Sequence, residues 1–132
     1  MGYVWFKPAL YYRPKRNISP LFRLELTSDL GASEKKYFNL NQKPYSKYLP
    51  FNFIYVANKS DTDIFLHIND SIKKKINAGT IESFDEEVIP AIRSVAIENT
   101  SSTATISKDD IEILIQKQKT YKSVLNKIFE NL

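Results

Sequence analysis

The chain of 132 residues contains no cysteine, one histidine and three glycines. Without cysteine there is no disulfide framework, no thiolate nucleophile, no iron–sulfur cluster and no cysteine-ligated zinc, although the redox compartment stays open. A single histidine, His67, cannot build a multi-histidine metal site, and most histidine relays would need carboxylate substitutes. Three glycines leave little material for a phosphate cradle or an oxyanion elbow, and the patterns G-x-x-x-x-G-K-[ST], G-x-G-x-x-G and G-x-S-x-G do not occur. No apolar run reaches the roughly 20 residues that cross a bilayer. The opening "MGYVWFKPALYY" is interrupted by Lys7 and Pro8 and makes a poor signal peptide, and Phe6 stands where a myristoylation signal has Ser or Thr. These absences predict one domain of ordinary size that is no common enzyme, carries no metal or cofactor and enters no membrane.

Charge is unevenly placed. Residues 1–20 carry Lys7, Arg13, Lys15 and Arg16 with no acid, whereas residues 21–132 carry 15 basic and 15 acidic side chains. The same opening segment holds Trp5, Phe6, Tyr11 and Tyr12 and is punctuated by Pro8, Pro14 and Pro20. Proline fixes φ and pushes its predecessor towards extended backbone, so an extended arm is expected over 1–20. An aromatic arm should lie on something. Docking onto its own domain or a neighbouring subunit is the favoured reading, with Trp5, Phe6, Tyr11, Tyr12, Arg13 and Arg16 as contact residues. Single-stranded nucleic acid is the second partner it admits, since cations meet phosphates while rings stack on bases.

From residue 21 the hydrophobic period becomes two. "LFRLELT" (21–27), "FNFIYVAN" (51–58), "DIFLHIN" (63–69), "IKKKI" (72–76), "TIESF" (80–84), a segment from about Ala91 to Asn99, "TATIS" (103–107) and "DIEILIQK" (110–117) all read as short strands, and "KKYFNL" as a further one inside a long polar loop over 28–50. A turn through Asn77-Ala78-Gly79 predicts a hairpin joining 72–76 to 80–84, with Gly79 at positive φ. Short strands at intervals of about ten residues predict an antiparallel β-sandwich or jelly roll over 21–117. Beyond it, Tyr121, Val124, Leu125, Ile128 and Leu132 form one stripe at helical spacing, so residues 118–132 are expected to be an amphipathic helix. That helix either caps the sandwich or docks on a neighbour through Tyr121, Leu125 and Ile128.

Candidate chemistry is sparse. His67 should face away from Ile64, Leu66 and Ile68 and has no predictable serine or carboxylate partner, so it reads as a packed or surface strand residue before it reads as a base. Adjacent Asp85, Glu86 and Glu87 cannot all address one site, and "DTDIFLHINDS" becomes a strand where a calcium loop needs its glycine. The lysines of "IKKKI" read as protection of a sheet edge, with a basic ligand patch as the lesser alternative. Two stretches share a pattern: "YVANKSDTDIFLHIN" and "VAIENTSSTATIS" both pass from an apolar run through Asn-x-Ser-x-Thr into a second run. Sequons occur at Asn17, Asn58, Asn69 and Asn99. Turn chemistry explains them, and sugar attachment is the lesser alternative.

The succession "FIYVANKSDTDIFLHIND…INAGTIESFD…IRSVAIENTSSTATISKDDIEILIQ", covering roughly residues 51–117, resembles the small β-sandwich or jelly-roll structural proteins of bacterial and archaeal virions, found as capsid, decoration or tail components. The resemblance implies a non-catalytic subunit that assembles in many copies, exchanges terminal arms, forms homo-oligomers and contacts other virion proteins, and resides in the virion or otherwise in the cytoplasm. It carries over no functional residue. The alternative, from a different class, is a β-sandwich module that binds carbohydrate or single-stranded nucleic acid.

Overall fold

Alternation of β-branched and polar side chains sets the strands of this chain, and the computed structural model describes residues 18–118. The strands are β1 (Phe22–Leu24), β2 (Lys35–Phe38), β3 (Phe53–Asn58), β4 (Ile64–Ile68), β5 (Ile72–Ile76), β6 (Ile81–Phe84), β7 (Val95–Asn99) and β8 (Ile111–Gln116). They form two four-stranded sheets with orders β1-β8-β3-β6 and β2-β7-β4-β5, and every pairing is antiparallel. The molecule is therefore mainly β, as the period-two pattern predicts.

One hydrophobic core lies between the sheets. Leu24, Ile54, Val56, Ile111, Ile113 and Ile115 enter it from the first sheet, and Ile64, Leu66, Ile68, Ile76, Val95 and Ile97 from the second. Each such side chain contributes on the order of 1.5–3 kcal/mol by leaving water. Isoleucine suits both needs here, because its branched Cβ favours extended backbone and its bulk fills the space between layers. Loop residues Leu30, Leu40, Phe51, Ile89, Ile92 and Ile106 close the ends of the same core. The two inner faces share one core, which makes the arrangement a sandwich.

Among the described strands, only the β4–β5 connection stays within a sheet; each of the others carries the chain from one sheet to the other. The β4–β5 hairpin turns through Asn69 and Asp70, both at positive φ (56° and 57°), with the Ser71 N–H donating to the Ile68 carbonyl at 3.2 Å. Asn and Asp tolerate that conformation better than other non-glycine residues, and paired positive φ values fit the right-handed twist of the flanking strands.

Two expectations are corrected. The turn at Asn77-Ala78-Gly79 has Gly79 at φ 73°, as expected, but it joins no hairpin: β5 pairs with β4 and β6 with β3, so this turn carries the chain between sheets. "TATIS" forms no strand, only an isolated bridge from Ile106 to Leu30. Ile106 is anchored there because it is buried in the core, whereas Thr103 and Thr105 face solvent. The arm over 1–17 and the stripe from Tyr121 onward lie outside the described residues.

Candidate functional site

The contact residues expected on the arm (Trp5, Phe6, Tyr11, Tyr12, Arg13 and Arg16) and on the helix (Tyr121, Leu125 and Ile128) lie outside the described residues. What is described is where the chain enters and leaves the sandwich. The Ser19 N–H donates to the Lys117 carbonyl at 2.9 Å, the Ser19 hydroxyl oxygen accepts from the Lys117 N–H at 2.7 Å, and Asn52 makes a reciprocal pair with the Gln118 backbone at 2.8 and 2.7 Å. Both terminal segments therefore depart from one end of the first sheet. Residues 18–118 carry 12 basic and 14 acidic side chains, so the cationic excess of the chain belongs entirely to those two segments.

The outer face of the second sheet collects the groups that sequence reading singled out. Register places Lys35 and Tyr37 of β2, Ala96 and Glu98 of β7, Phe65 and His67 of β4, and Lys73 and Lys75 of β5 on it. His67 Nε2 lies 2.8 Å from Glu98 Oε1, a partner on the adjacent strand that the linear sequence did not reveal. The pair ties β4 to β7 on a sheet face, and no described hydroxyl nucleophile bonds to His67. Lys73 Nζ sits 3.9 Å from the Phe65 ring centroid and Lys35 Nζ 4.9 Å from that of Tyr37, so the face's own cations occupy ring surface that a base or sugar would need. The lysines are also balanced: Lys75 Nζ is 3.3 Å from Asp63, and Glu98 and Asp70 act on Lys35. Tyr37 raises the Lys35 ammonium above its ordinary value, chiefly through their side-chain hydrogen bond. Strand β5 is the outermost strand of its sheet, which agrees with edge protection by "IKKKI".

The rhyming stretches occupy two corresponding corners. Asn58 ends β3 and Asn99 ends β7, and each is only 1 % exposed. Asn58 Oδ1 accepts from the Ser60 N–H at 3.1 Å and from its hydroxyl at 2.6 Å, while Nδ2 donates to the carbonyls of Thr62 (2.8 Å) and Ile76 (3.2 Å). Asn99 Oδ1 accepts from the Ser101 N–H at 2.9 Å, while Nδ2 reaches the carbonyls of Ala104 (2.7 Å), Gly31 (3.0 Å) and Leu30 (3.3 Å). The Ser of each motif continues the turn: Ser60 Oγ accepts from the Thr62 N–H, and Ser101 Oγ from those of Thr103 and Ala104. In the folded chain such an amide, buried and with its nitrogen already donating to carbonyls, is closed to modification. Asn69 is likewise engaged, with Nδ2 donating to the Ala91 carbonyl at 2.6 Å and Oδ1 accepting from Arg93 and Ser94.

Among the described residues there is no group of three His, Cys, Asp or Glu side chains placed to hold a metal ion. Among the described residues, a cleft of about 230 Å³ that the linear sequence did not reveal lies between the edge strands β1 and β2. Leu24, Leu26, Phe38 and Tyr45 give it apolar surface, and Glu25, Thr27, Asn39 and Gln42 give it polar groups. Phe22 positions its far wall, with ring centroids 5.2 Å from Tyr45, 5.6 Å from Tyr48 and 6.0 Å from Phe51, so aromatic packing pins the 39–50 segment over the sandwich edge. The sequence signal for it was the tyrosine-rich polar loop over 28–50, longer than a compact domain needs for a connection alone.

No helix among the described residues is long and apolar enough to cross a membrane. No curated protein and no solved structure matches the chain. Residues 18–132 match the family model described as "Protein of unknown function (DUF2972)", and with a match over that span the chain belongs to this family.

Proposed function

We infer that the chain is a non-catalytic structural subunit that works by contact, a rigid β-sandwich body presenting two cationic terminal segments to neighbouring copies or partner proteins. The observation that carries this reading is the common exit of both ends at Ser19–Lys117 and Asn52–Gln118, combined with a body of slight acidic excess and ends that hold all the basic surplus. Ends of one sign and a body of the other favour association between copies. The strand order supports it as well: β1-β8-β3-β6 over β2-β7-β4-β5 is jelly-roll winding, an architecture used by capsid proteins, lectin domains and cupins alike. Architecture alone does not choose among those roles. The virion setting, as capsid or tail component, rests on the sequence resemblance.

Deleting residues 1–16 tests the reading. Light scattering should show assembly lost while the β-sheet circular dichroism is kept. Unchanged assembly, together with loss of a steeply salt-dependent retention on single-stranded nucleic acid, would overturn it in favour of a nucleic-acid arm.

A second reading, a carbohydrate-binding module, is favoured by one observation, the cleft between β1 and β2.

A further inference from the structure

We propose that the cleft between β1 and β2 binds a neutral saccharide, with room for about one sugar ring. The cleft holds little that would attract an anion. Among the described residues that line it, the one cation, Lys36, is already spent: the ammonium donates to the carbonyls of Ser28 (3.1 Å) and Asp29 (2.9 Å) and to the Ser28 hydroxyl, and lies 3.8 Å from Glu34. An ammonium has three donors, and three acceptors are in place. A phosphate, sulfate or carboxylate would find no free positive charge, and Glu25 would repel it.

What the cleft does offer is neutral. Among the described residues, the Thr27 hydroxyl, the Gln42 amide, the Asn39 Nδ2 and the Tyr45 phenol make no hydrogen bond, and all four residues line the cleft beside Leu24, Leu26 and Phe38. One oxygen of Glu25 is 3.6 Å from Arg23, which leaves the other to accept. Donors and acceptors set beside apolar and ring surface match a pyranose, whose hydroxyl edge needs hydrogen bonds while its C–H face needs apolar contact. At about 230 Å³ the cleft is smaller than the roughly 300–1,000 Å³ of drug-sized sites, which limits it to one ring. The wall is held before any ligand arrives, since Tyr45 packs edge-on against Phe22 and the Tyr45 and Ser46 N–H groups donate to the Gln42 carbonyl at 2.9 and 3.0 Å.

The test uses the full chain labelled with ¹⁵N and titrated separately with glucose, galactose, mannose, N-acetylglucosamine and inorganic phosphate. At least one sugar should shift the amides of Thr27, Asn39, Gln42 and Tyr45 saturably, and phosphate should leave them unmoved. Gln42→Ala, an exposed substitution, and Tyr45→Phe, which keeps the ring against Phe22, should each weaken binding about tenfold with the rest of the spectrum intact. The proposal is overturned if none of the four sugars moves these amides, if shifts fall outside the cleft, if phosphate produces them, or if both variants bind as the parent does. Light scattering on the same samples reports assembly separately, so failure here and failure of the subunit reading are distinct results.

Discussion

The corner at Asn58 and the corner at Asn99 use the same five-residue pattern and the same first contact, an Asn carbonyl oxygen taking the N–H two residues on. They differ in what the amide nitrogen reaches. Asn58 ties its own turn to the end of β5, 18 residues away, whereas Asn99 crosses to Leu30 and Gly31, 69 and 68 residues away. One corner closes a local excursion; the other fastens the loop before β2 to the end of β7. A short motif can thus specify the turn while tertiary placement decides how much of the fold depends on it. Asp63 joins the two, since its carbonyl accepts the Thr100 hydroxyl at 2.7 Å beside the second corner and its carboxylate accepts the Ala78 N–H at 2.8 Å beside the first.

The largest expected effect comes from Asn99→Ala, which removes the donor from three carbonyls; a loss of about 2–4 kcal/mol in urea unfolding is expected. A value near zero would show that water replaces the amide. Asn58→Ala strips two carbonyls and should cost about 1–3 kcal/mol, less than its counterpart in the same assay. The order should reverse at the serines. Ser60 is buried and its hydroxyl lies 2.6 Å from Asn58 Oδ1 and 2.9 Å from the Thr62 carbonyl, two acceptors for its single proton, whereas Ser101 serves mainly as an acceptor, so Ser60→Ala should destabilise by about 1 kcal/mol and Ser101→Ala by less.

Acid supplies a smaller effect. The Ala78 N–H, with Lys75 assisting against burial, holds the Asp63 carboxyl below its ordinary value of 3.8. A folded pKa below the unfolded one means that the contribution is complete above the unfolded value and is lost as pH falls through the folded value. Thermal melts between pH 5 and pH 2 should show a steeper loss for the parent than for Asp63→Asn; parallel curves would remove Asp63 from the account. The smallest expected effect is none at all: the chain expressed in a glycosylating host should show no sugar at Asn58 or Asn99 by peptide mass spectrometry, and occupancy at either would contradict its burial.

Much of this was legible in the sequence. Period-two alternation located β4, β5 and β8 almost to the residue, because one side of each strand meets core and the other meets solvent. Pairing was not legible. The Gly79 turn serves a hairpin or a crossing between sheets equally well, and only the core decides between them. β7 hid its alternation because Ala96, on the outer face between Tyr37 and His67, is as buried as its inward neighbours. The cleft was beyond local reading, since its walls come from residues 24–27, 36–39 and 42–45, brought together where two sheet edges diverge. The His67–Glu98 pair escaped for the same reason, with its partners 31 residues apart.

The measurement that bears most directly on the account is the solution mass of the intact chain beside a chain of residues 18–118, followed by sedimentation velocity across concentration. Multiples of 15.3 kDa are expected for the intact chain, and a monomer of unchanged β-sheet signature for the shortened one. An intact chain that stays at 15.3 kDa at every concentration would contradict it.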